Sequence, residues 1–395
     1  MKKKITVSTA VTMVILAVAL TISMTMLFAM RYFNNQIQSV QQRQSMYTHI
    51  NDVDKTVREY YKDLDEEALR QAITGGYVTG IGDSYAAYFT PEAYEKELQR
   101  ISGYANDVGV GVTVNAKGQM VISRVNSDSA AEKSGVQVGD VLTALNEEEL
   151  GDKTVGDVEW ILNNSEKVLL SVTRKDTKQA FELSPHRYAV RSVQGTVRGA
   201  VGYVKITGFF DNTPEQFKST VSSLLEQGVT GLIFDLRGNA GGQPEAVKEV
   251  LSYVMPLGQY GTDTSASGTV TYLTSSINNQ IGVQTATLVD LTTAGEAELF
   301  AGVLQEAGLT VVVGQTTAGE AKYQAYFRLE ADGSAIKLSA GEYGRLKGGS
   351  WQGVGIEPDA EVLLTAEQQA MLPLLTPQED VQYQTALNQL PAATK

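Results

Sequence analysis

Residues 235–242 read Asp-Leu-Arg-Gly-Asn-Ala-Gly-Gly, between an apolar run, Gly231 to Leu236, and a proline at 244 that suits the first turn of a helix. A glycine-rich corner of this kind turns backbone N–H groups outward at a helix start, which suits an anion, an oxyanion or a carboxylate. It lacks the closing Gly-Lys-Ser/Thr of a phosphate loop, and no Gly-x-Gly-x-x-Gly occurs in the chain. Asp235 and Arg237 read as an internal ion pair supporting the turn. The absence of cysteine excludes disulfides, thiol nucleophiles and Cys-ligated zinc. Two histidines, His49 and His186, leave little for His-based metal sites or a Ser-His-Asp triad, so no metal or other cofactor is expected.

The elements that would position this corner alternate. Gly202 to Ile206, Gly231 to Leu236, Ala286 to Leu291 and Thr310 to Gly314 are apolar strand runs; helices are expected from Thr213 to Glu226, from Pro244, and from Glu296 to Ala307. Apolar strands between amphipathic helices predict an α/β sheet covered on both faces. Upstream, from about Tyr104 to Pro185, the texture is β-rich. Val108 to Val114 alternates like a strand entered through a glycine loop, and Gln119 to Val125 returns after the Ala116-Lys117-Gly118 turn. Ser129 to Gly135 is a short helix with a glycine stop, Thr154 caps a helix to Asn163, and Val168 to Thr173 is a strand.

The amino end is of another kind. Ile5 to Met30 carries no charge over 26 positions, about 39 Å of helix at ~1.5 Å per residue and enough to cross a bilayer. Lys2, Lys3 and Lys4 precede it, so the amino terminus is expected in the cytoplasm and the body outside it, in a single-pass cell-membrane protein. Ala17-Val18-Ala19 has the form of a signal-peptide cleavage site, but cutting there would leave Leu20 to Met30 as an apolar end; an uncleaved anchor is the expectation. Hydroxyls such as Thr21 and Thr25 are expected to back-bond within their helix. The net charge of −13, with none of the 45 acidic residues before Arg31, argues against nucleic acid as a partner.

Met46, Ile50, Val53, Val57, Tyr60 and Leu64 form a helical stripe within 34–64, read either as a face buried in its own domain or as a short seam between two protomers. A second helix from Asp65 to Ile73 is expected to end at Gly75-Gly76, and Thr90-Pro91-Glu92 opens a third.

Two sets of residues carry a resemblance. Ser129-Ala130-Ala131, Ser134-Gly135-Val136 and Val138-Gly139-Asp140-Val141-Leu142 resemble the PDZ domains of bacterial processing proteases. In that family the loop at Val108, Gly109, Val110 and Gly111 holds peptide carboxylates, with the tail adding a strand to the sheet edge. Gly202 to Ile206, Asp235 to Gly242, Glu298 to Gly302, Val313-Gly314 and Gly353 to Asp359 resemble the C-terminal processing peptidases, or tail-specific proteases. So do Asp83-Ser84-Tyr85 and Tyr88 to Glu92 upstream. The resemblance implies an anchor at 5–30, a helical region at 34–103, a PDZ domain at 104–187, a peptidase-type core at 195–363 and a helical tail at 364–395. The segment Glu379 to Leu387 resembles the family's closing helix, which often packs beside the amino-terminal helices; a homodimer, or pairing with an active relative, is the implied assembly.

That family cleaves peptides with a serine and a lysine. A desolvated lysine of depressed pKa serves as base for a hydroxyl that is otherwise a weak nucleophile. Laid over this chain, the serine position is Gly295 and the lysine position, 25 residues on, is Glu320; Gln324 stands where a glutamine is usual. Oxyanion donors are implied at Gly241, Gly242 and the N–H of Glu296. Glycine has no attacking atom and glutamate inverts the charge of the base, so a pseudopeptidase that binds protein tails is expected. The alternative is a working serine-type endopeptidase with a relocated dyad, for which Thr292, Thr293 and Lys322 are the nearby residues. In an extended segment a two-residue shift displaces a side chain by roughly 6–7 Å, beyond hydrogen-bond reach of the old site. A third reading is a structural envelope protein whose PDZ groove is closed.

Overall fold

The computed structural model describes residues 7–277 and 281–390, without the side chains of 7–10, 33–43 and 370. The first residues of the expected anchor and the last five of the tail lie outside this description. The chain divides into two compact units, Met1–Thr74 and Gly75–Lys395.

The first unit is dominated by α1 (Val7–Tyr60), one uninterrupted helix that joins the expected anchor to the expected 34–64 stripe. Its Val11–Tyr32 stretch has a mean hydropathy of 2.4 and is the one span among the described residues long and apolar enough to cross a membrane. The Thr21 and Thr25 hydroxyls donate to the carbonyls of Ala17 and Thr21 at 2.8 Å, the back-bonding expected of them. The stripe stands half-buried at Met46, Ile50 and Val57 but exposed at Val53 and Tyr60, and Leu64 falls beyond the helix.

α2 (Glu66–Gly80) is capped by Asp65, whose Oδ1 accepts the Glu67 and Ala68 N–H groups. It does not stop at Gly75-Gly76. Both glycines keep helical backbone angles, and a glycine inside a helix costs only about 1 kcal/mol relative to alanine. The stop comes at Gly82, with φ 75°. β1 (Ala87–Phe89) then leads into α3 (Pro91–Ile101), with Thr90 as N-cap.

The β-rich region comprises β2 (Tyr104–Asp107), β3 (Val110–Val114), β4 (Met120–Val125), α4 (Ala130–Ser134), β5 (Val141–Leu145), β6 (Glu148–Glu149), α5 (Val155–Asn164), β7 (Val168–Arg174), β8 (Thr177–Leu183) and β9 (His186–Ala189). The expected caps are in place: Ser129 on α4, Gly135 left-handed after it, and Thr154 with Asp157 in a capping box on α5. The sheet runs β3-β4-β5-β7-β8, with β3 at one edge. Val110, Val112, Ile122, Leu142, Leu162, Leu170 and Val172 fill its core.

The core follows with β10 (Val193–Arg198), β11 (Val201–Ile206), α6 (Thr213–Glu226), β12 (Gly231–Asp235), α7 (Pro244–Val254), β13 (Gly258–Ser265), β14 (Val270–Ser275), β15 (Gln284–Val289), α8 (Glu296–Glu306), β16 (Thr310–Gly314), β17 (Lys322–Arg328), β18 (Ala335–Arg345) and β19 (Ala360–Glu361). The chain closes with α9 (Ala366–Met371), a 3₁₀ turn Leu372–Leu374 and α10 (Val381–Gln389). The central sheet, β10-β11-β12-β15-β16-β19, is parallel except for β10.

Every residue of β12 is buried, because both faces are covered. Leu232 and Phe234 pack with Phe217, Val247 and Phe300 from α6, α7 and α8, while Ile233 faces Tyr383 and Leu390 from the other side. The closing helix α10 thus covers the central sheet. A second, antiparallel sheet, β1-β18-β13-β14 with β17 on β18, has no counterpart among the strands expected from sequence.

Candidate functional site

Gly295 sits immediately before α8 with φ 58° and ψ −124°. L residues rarely adopt this conformation, and glycine reaches it without strain. A sharp strand-to-helix turn of this sort is how hydrolases present a nucleophilic serine. The turn is present here and the hydroxyl is not. A Cβ added at Gly295 would find its nearest neighbour, the Ala240 carbonyl oxygen, 3.6 Å away, so backbone strain rather than crowding opposes a side chain.

The fold brings Gly295 and Glu320 together: the Gly295 N–H donates to the Glu320 carbonyl at 3.1 Å. Glu298, named above only as the start of a resembling segment and given no role there, holds that junction. Its buried carboxylate accepts the Gly319 and Glu320 N–H groups at 2.7 Å, the Gly295 N–H at 3.2 Å and the Thr317 hydroxyl. Burial pushes its pKa up against these bonds. The signal in the sequence was an acidic residue three positions past the turn glycine, where a capping box places it. The Glu320 carboxylate lies beside the Tyr85 hydroxyl, whose pKa rises through burial and this negative neighbour. Tyr85 belongs to the Asp83-Ser84-Tyr85 segment.

The oxyanion-type corner is occupied from within. Gly242 donates its N–H to Glu296 Oε2 at 2.7 Å, and Gly241 donates to Asn239 Oδ1 at 2.9 Å. The Tyr343 hydroxyl donates to Glu296 Oε1 at 3.2 Å. Glu296 is 4% exposed, and burial raises its pKa. Both glycines are obligatory. A Cβ on Gly242 would lie 2.1 Å from the Phe209 carbonyl oxygen, and one on Gly241 2.5 Å from Glu296 Oε2.

The candidates for a displaced dyad are engaged elsewhere. Thr293 is fully buried and donates to the Leu236 carbonyl at 3.1 Å, and Thr292 donates to Asp290 Oδ1 at 2.7 Å. Lys322, half-buried at the start of β17, is a positive neighbour of Asp83. Burial opposes ionisation of Asp83, but N–H groups from Ser339 and Tyr85, together with Lys322, hold its pKa below the usual carboxylate range. Gln324 donates to the carbonyl of Lys322 at 2.9 Å, within its own strand.

Asp235 and Arg237 form the internal pair expected of them, both almost fully buried, with Nε and Nη2 at 3.0 and 2.7 Å from the carboxylate. Burial disfavours the Asp235 charge, but Arg237 and Lys205 outweigh it and keep the carboxyl ionised. Arg237 also donates to Asp380 at 3.0 and 2.7 Å and to Gln382 at 3.0 Å. The corner is thereby fastened to the start of α10, a partner 143 residues away that no local pattern announces.

In the β-rich region Val108 and Gly109 form the loop ahead of β3, and Val110 and Gly111 begin the strand. Gly109 has φ 81° and donates its N–H to Asp107 Oδ1 at 2.7 Å. A Cβ there would lie 2.0 Å from the Ser129 Cβ. The Tyr188 hydroxyl donates to the same Asp107 oxygen at 2.7 Å.

Family comparison matches residues 200–362 to Peptidase family S41 and residues 106–184 to the PDZ domain. The core is a peptidase family S41 domain. The PDZ match takes in the β3 edge and the Ser129 and Thr154 caps. A Staphylococcus aureus protein named "Probable CtpA-like serine protease" is 26% identical over 342 residues, covering 84% of this chain and 68% of its own length. A Staphylococcus epidermidis protein of the same name is 26% identical over 311 residues, covering 77% and 63%.

Among solved structures, one from Bacteroides fragilis assigned to the S41 proteases superposes with a TM-score of 0.61 at 16% identity, over 85% of this chain and 96% of that one. The photosystem II D1 C-terminal processing protease gives 0.50 at 21% identity, over 79% and 86%. These likenesses carry the S41 and PDZ folds. The chain thus joins an apolar helix long enough to cross a membrane to segments that match the PDZ domain and Peptidase family S41.

Proposed function

We propose that this S41 protein is a pseudopeptidase that captures protein C-termini through its PDZ domain, anchored by α1 with its amino terminus in the cytoplasm and its body outside. The observation that carries the reading is the state of the cleft. Glycine occupies the nucleophile turn, glutamate the position of the base, and the carboxylate of Glu296 takes the N–H that would stabilise an oxyanion. Acyl transfer needs an attacking atom, a base for its proton and free donors for the developing charge. Gly295 supplies no attacking atom, the N–H groups of Gly241 and Gly242 are already bonded, and Glu320 brings a carboxylate where the resemblance places an amine. Tail capture by strand addition is supported by the edge position of β3 and the glycine loop ahead of it. Pairing with a second copy or an active relative belongs to the same proposal.

A second reading has the relatives in its favour: they are named serine proteases, and an S41 core is a serine-peptidase scaffold. On it the chain is a serine-type endopeptidase acting on extracytoplasmic proteins through a relocated Ser/Thr–Lys dyad. The full chain in detergent, treated with a fluorophosphonate probe and offered an unstructured protein, decides between them. The pseudopeptidase stays unlabelled and cleaves nothing, yet binds fluorescent peptides with free C-termini, and Gly109→Ala weakens that binding. Labelling and cleavage that vanish in Lys322→Ala establish the second reading instead.

A further inference from the structure

The antiparallel sheet ends in a bare strand. β14 pairs with β13 alone, so its other side is a free edge. At the hairpin turn the Ser265 N–H donates to the Thr269 carbonyl at 2.9 Å, and the next residue, Ala266, donates the other way, to Ala340 at 2.8 Å. Hydrogen-bonded and non-hydrogen-bonded pairs alternate along an antiparallel ladder. Thr271 and Leu273 therefore bond to β13, and Val270, Tyr272 and Thr274 turn their N–H and C=O groups outward. Their side chains share one face of the sheet. Val270 and Tyr272 are each 58% exposed, while Leu273, on the opposite face, is buried in the core. The outward Tyr272 carbonyl accepts the Thr274 hydroxyl of its own strand at 3.4 Å.

Free edges are normally guarded by charge, proline or burial. Other edges of this protein follow that rule: Lys178 and Glu182 lie on β8, Lys322 and Arg328 on β17 and Arg198 on β10, and β3 is buried from Val110 to Val112. From Thr264 to Val289 there is neither a charged residue nor a proline, in a chain of net charge −13. Two copies of so acidic a chain repel wherever their charges face each other, so an uncharged strand is where they meet at least cost. We propose that β14 is the surface through which two copies of this chain pair, antiparallel about a two-fold axis at Tyr272. In that register Tyr272 faces Tyr272 of the other copy and Val270 faces its Thr274. Ile277, 48% exposed, meets the Ser267–Gly268 turn of the other copy. The outward groups of the two edges then bond each other, and the two sheets become one. The inference rests on the pairing with a second copy proposed for this protein, and is independent of tail capture and of the state of the cleft.

The chain has no cysteine, so Tyr272→Cys carries a single thiol. Across a hydrogen-bonded antiparallel pair the Cα atoms lie about 5.5 Å apart, within the span of a disulfide. The full chain in detergent, oxidised with copper phenanthroline, should give a covalent dimer from Tyr272→Cys and none from Thr262→Cys, one strand further in. Adding Val270→Lys with Thr274→Lys sets like charges opposite each other and should slow the cross-linking of Tyr272→Cys by about tenfold or more. Val270→Lys with Thr274→Glu sets opposite charges there and should restore it. No covalent dimer at position 272, equal cross-linking from 262, or a rate indifferent to the charges overturns the proposal. The mass of the parent in detergent separates this failure from that of pairing itself. A monomer removes both, whereas a dimer that does not cross-link at 272 pairs through another surface and overturns this inference alone.

Discussion

The carboxylate of Glu296 accepts the N–H of Gly242 at 2.7 Å, so the residue that follows the proposed nucleophile position fills the proposed oxyanion corner. On the proposed reading two losses are visible in the sequence, the hydroxyl at 295 and the amine at 320. The third, a donor turned inward, is visible only in the fold. Restoring the first two leaves the third in place.

Gly295→Ser with Glu320→Lys is therefore expected to remain silent in a peptide-cleavage assay. Adding Glu296→Ala frees the Gly242 N–H, and an oxyanion donor is worth about 10²- to 10³-fold in rate. The triple variant should exceed the double one by about 100-fold; equal rates would show that Glu296 does not block the site. The serine at φ 58° costs about 1–3 kcal/mol, read as a lower melting temperature in both variants.

Glu296→Gln keeps an oxygen for Gly242 and removes a buried charge. Burial raises the folded-state pKa of Glu296 above its ordinary 4.5, so the native state holds this proton more tightly than the unfolded chain does. Stability from this group is full below about pH 4.5 and is lost as pH rises through the raised pKa. Urea melts should show Glu296→Gln more stable than the parent at neutral pH, with the difference shrinking as pH falls towards 4.5. A constant difference across that range would mean that the carboxylate is not raised.

Gly242→Ala should be the most damaging of the glycine substitutions near the corner. The new Cβ meets backbone at 2.1 Å, and the Phe209 carbonyl it strikes also accepts the Gln243 N–H at 2.6 Å. A loss of several kcal/mol is expected by chemical denaturation. Gly118→Ala, with φ 74° and nothing within 4 Å, should lose only about 1 kcal/mol.

Arg237→Ala leaves Asp235 and Asp380 buried without a guanidinium between them. Breaking a buried pair costs about 3–5 kcal/mol, and Arg237→Lys should recover little because one ammonium cannot serve five acceptor contacts in two directions. Urea titration measures both, and near-native stability of the lysine variant would contradict the arrangement.

Much of the architecture was legible in the chain. Thr90, Ser129 and Thr154 announced helix starts, and the apolar runs at 202–206, 231–236 and 310–314 announced a sheet covered on both faces. These are local patterns, set by capping chemistry and side-chain period. Helix α2 ran past Gly75-Gly76 because a glycine's propensity cost is small beside continued helical hydrogen bonding. The antiparallel sheet of β13, β14, β17 and β18 went unread: its strands mix threonine, serine, tyrosine and glycine, and their pairing partners lie up to about eighty residues apart.

The sequence by itself determined that residue 295 carries no hydroxyl and residue 320 no amine, the two positions on which the proposed reading rests. It also determined the apolar helix and the glycine turns, because composition and short spacing are sufficient for those. Only the tertiary structure decided where the remaining side chains point. Glu296 turns into the corner, Glu298 ties residues 295 and 320 together, and Arg237 reaches Asp380. The directions of buried carboxylates and guanidinium groups are fixed by whichever distant partners satisfy them, and those partners meet only when the chain has folded.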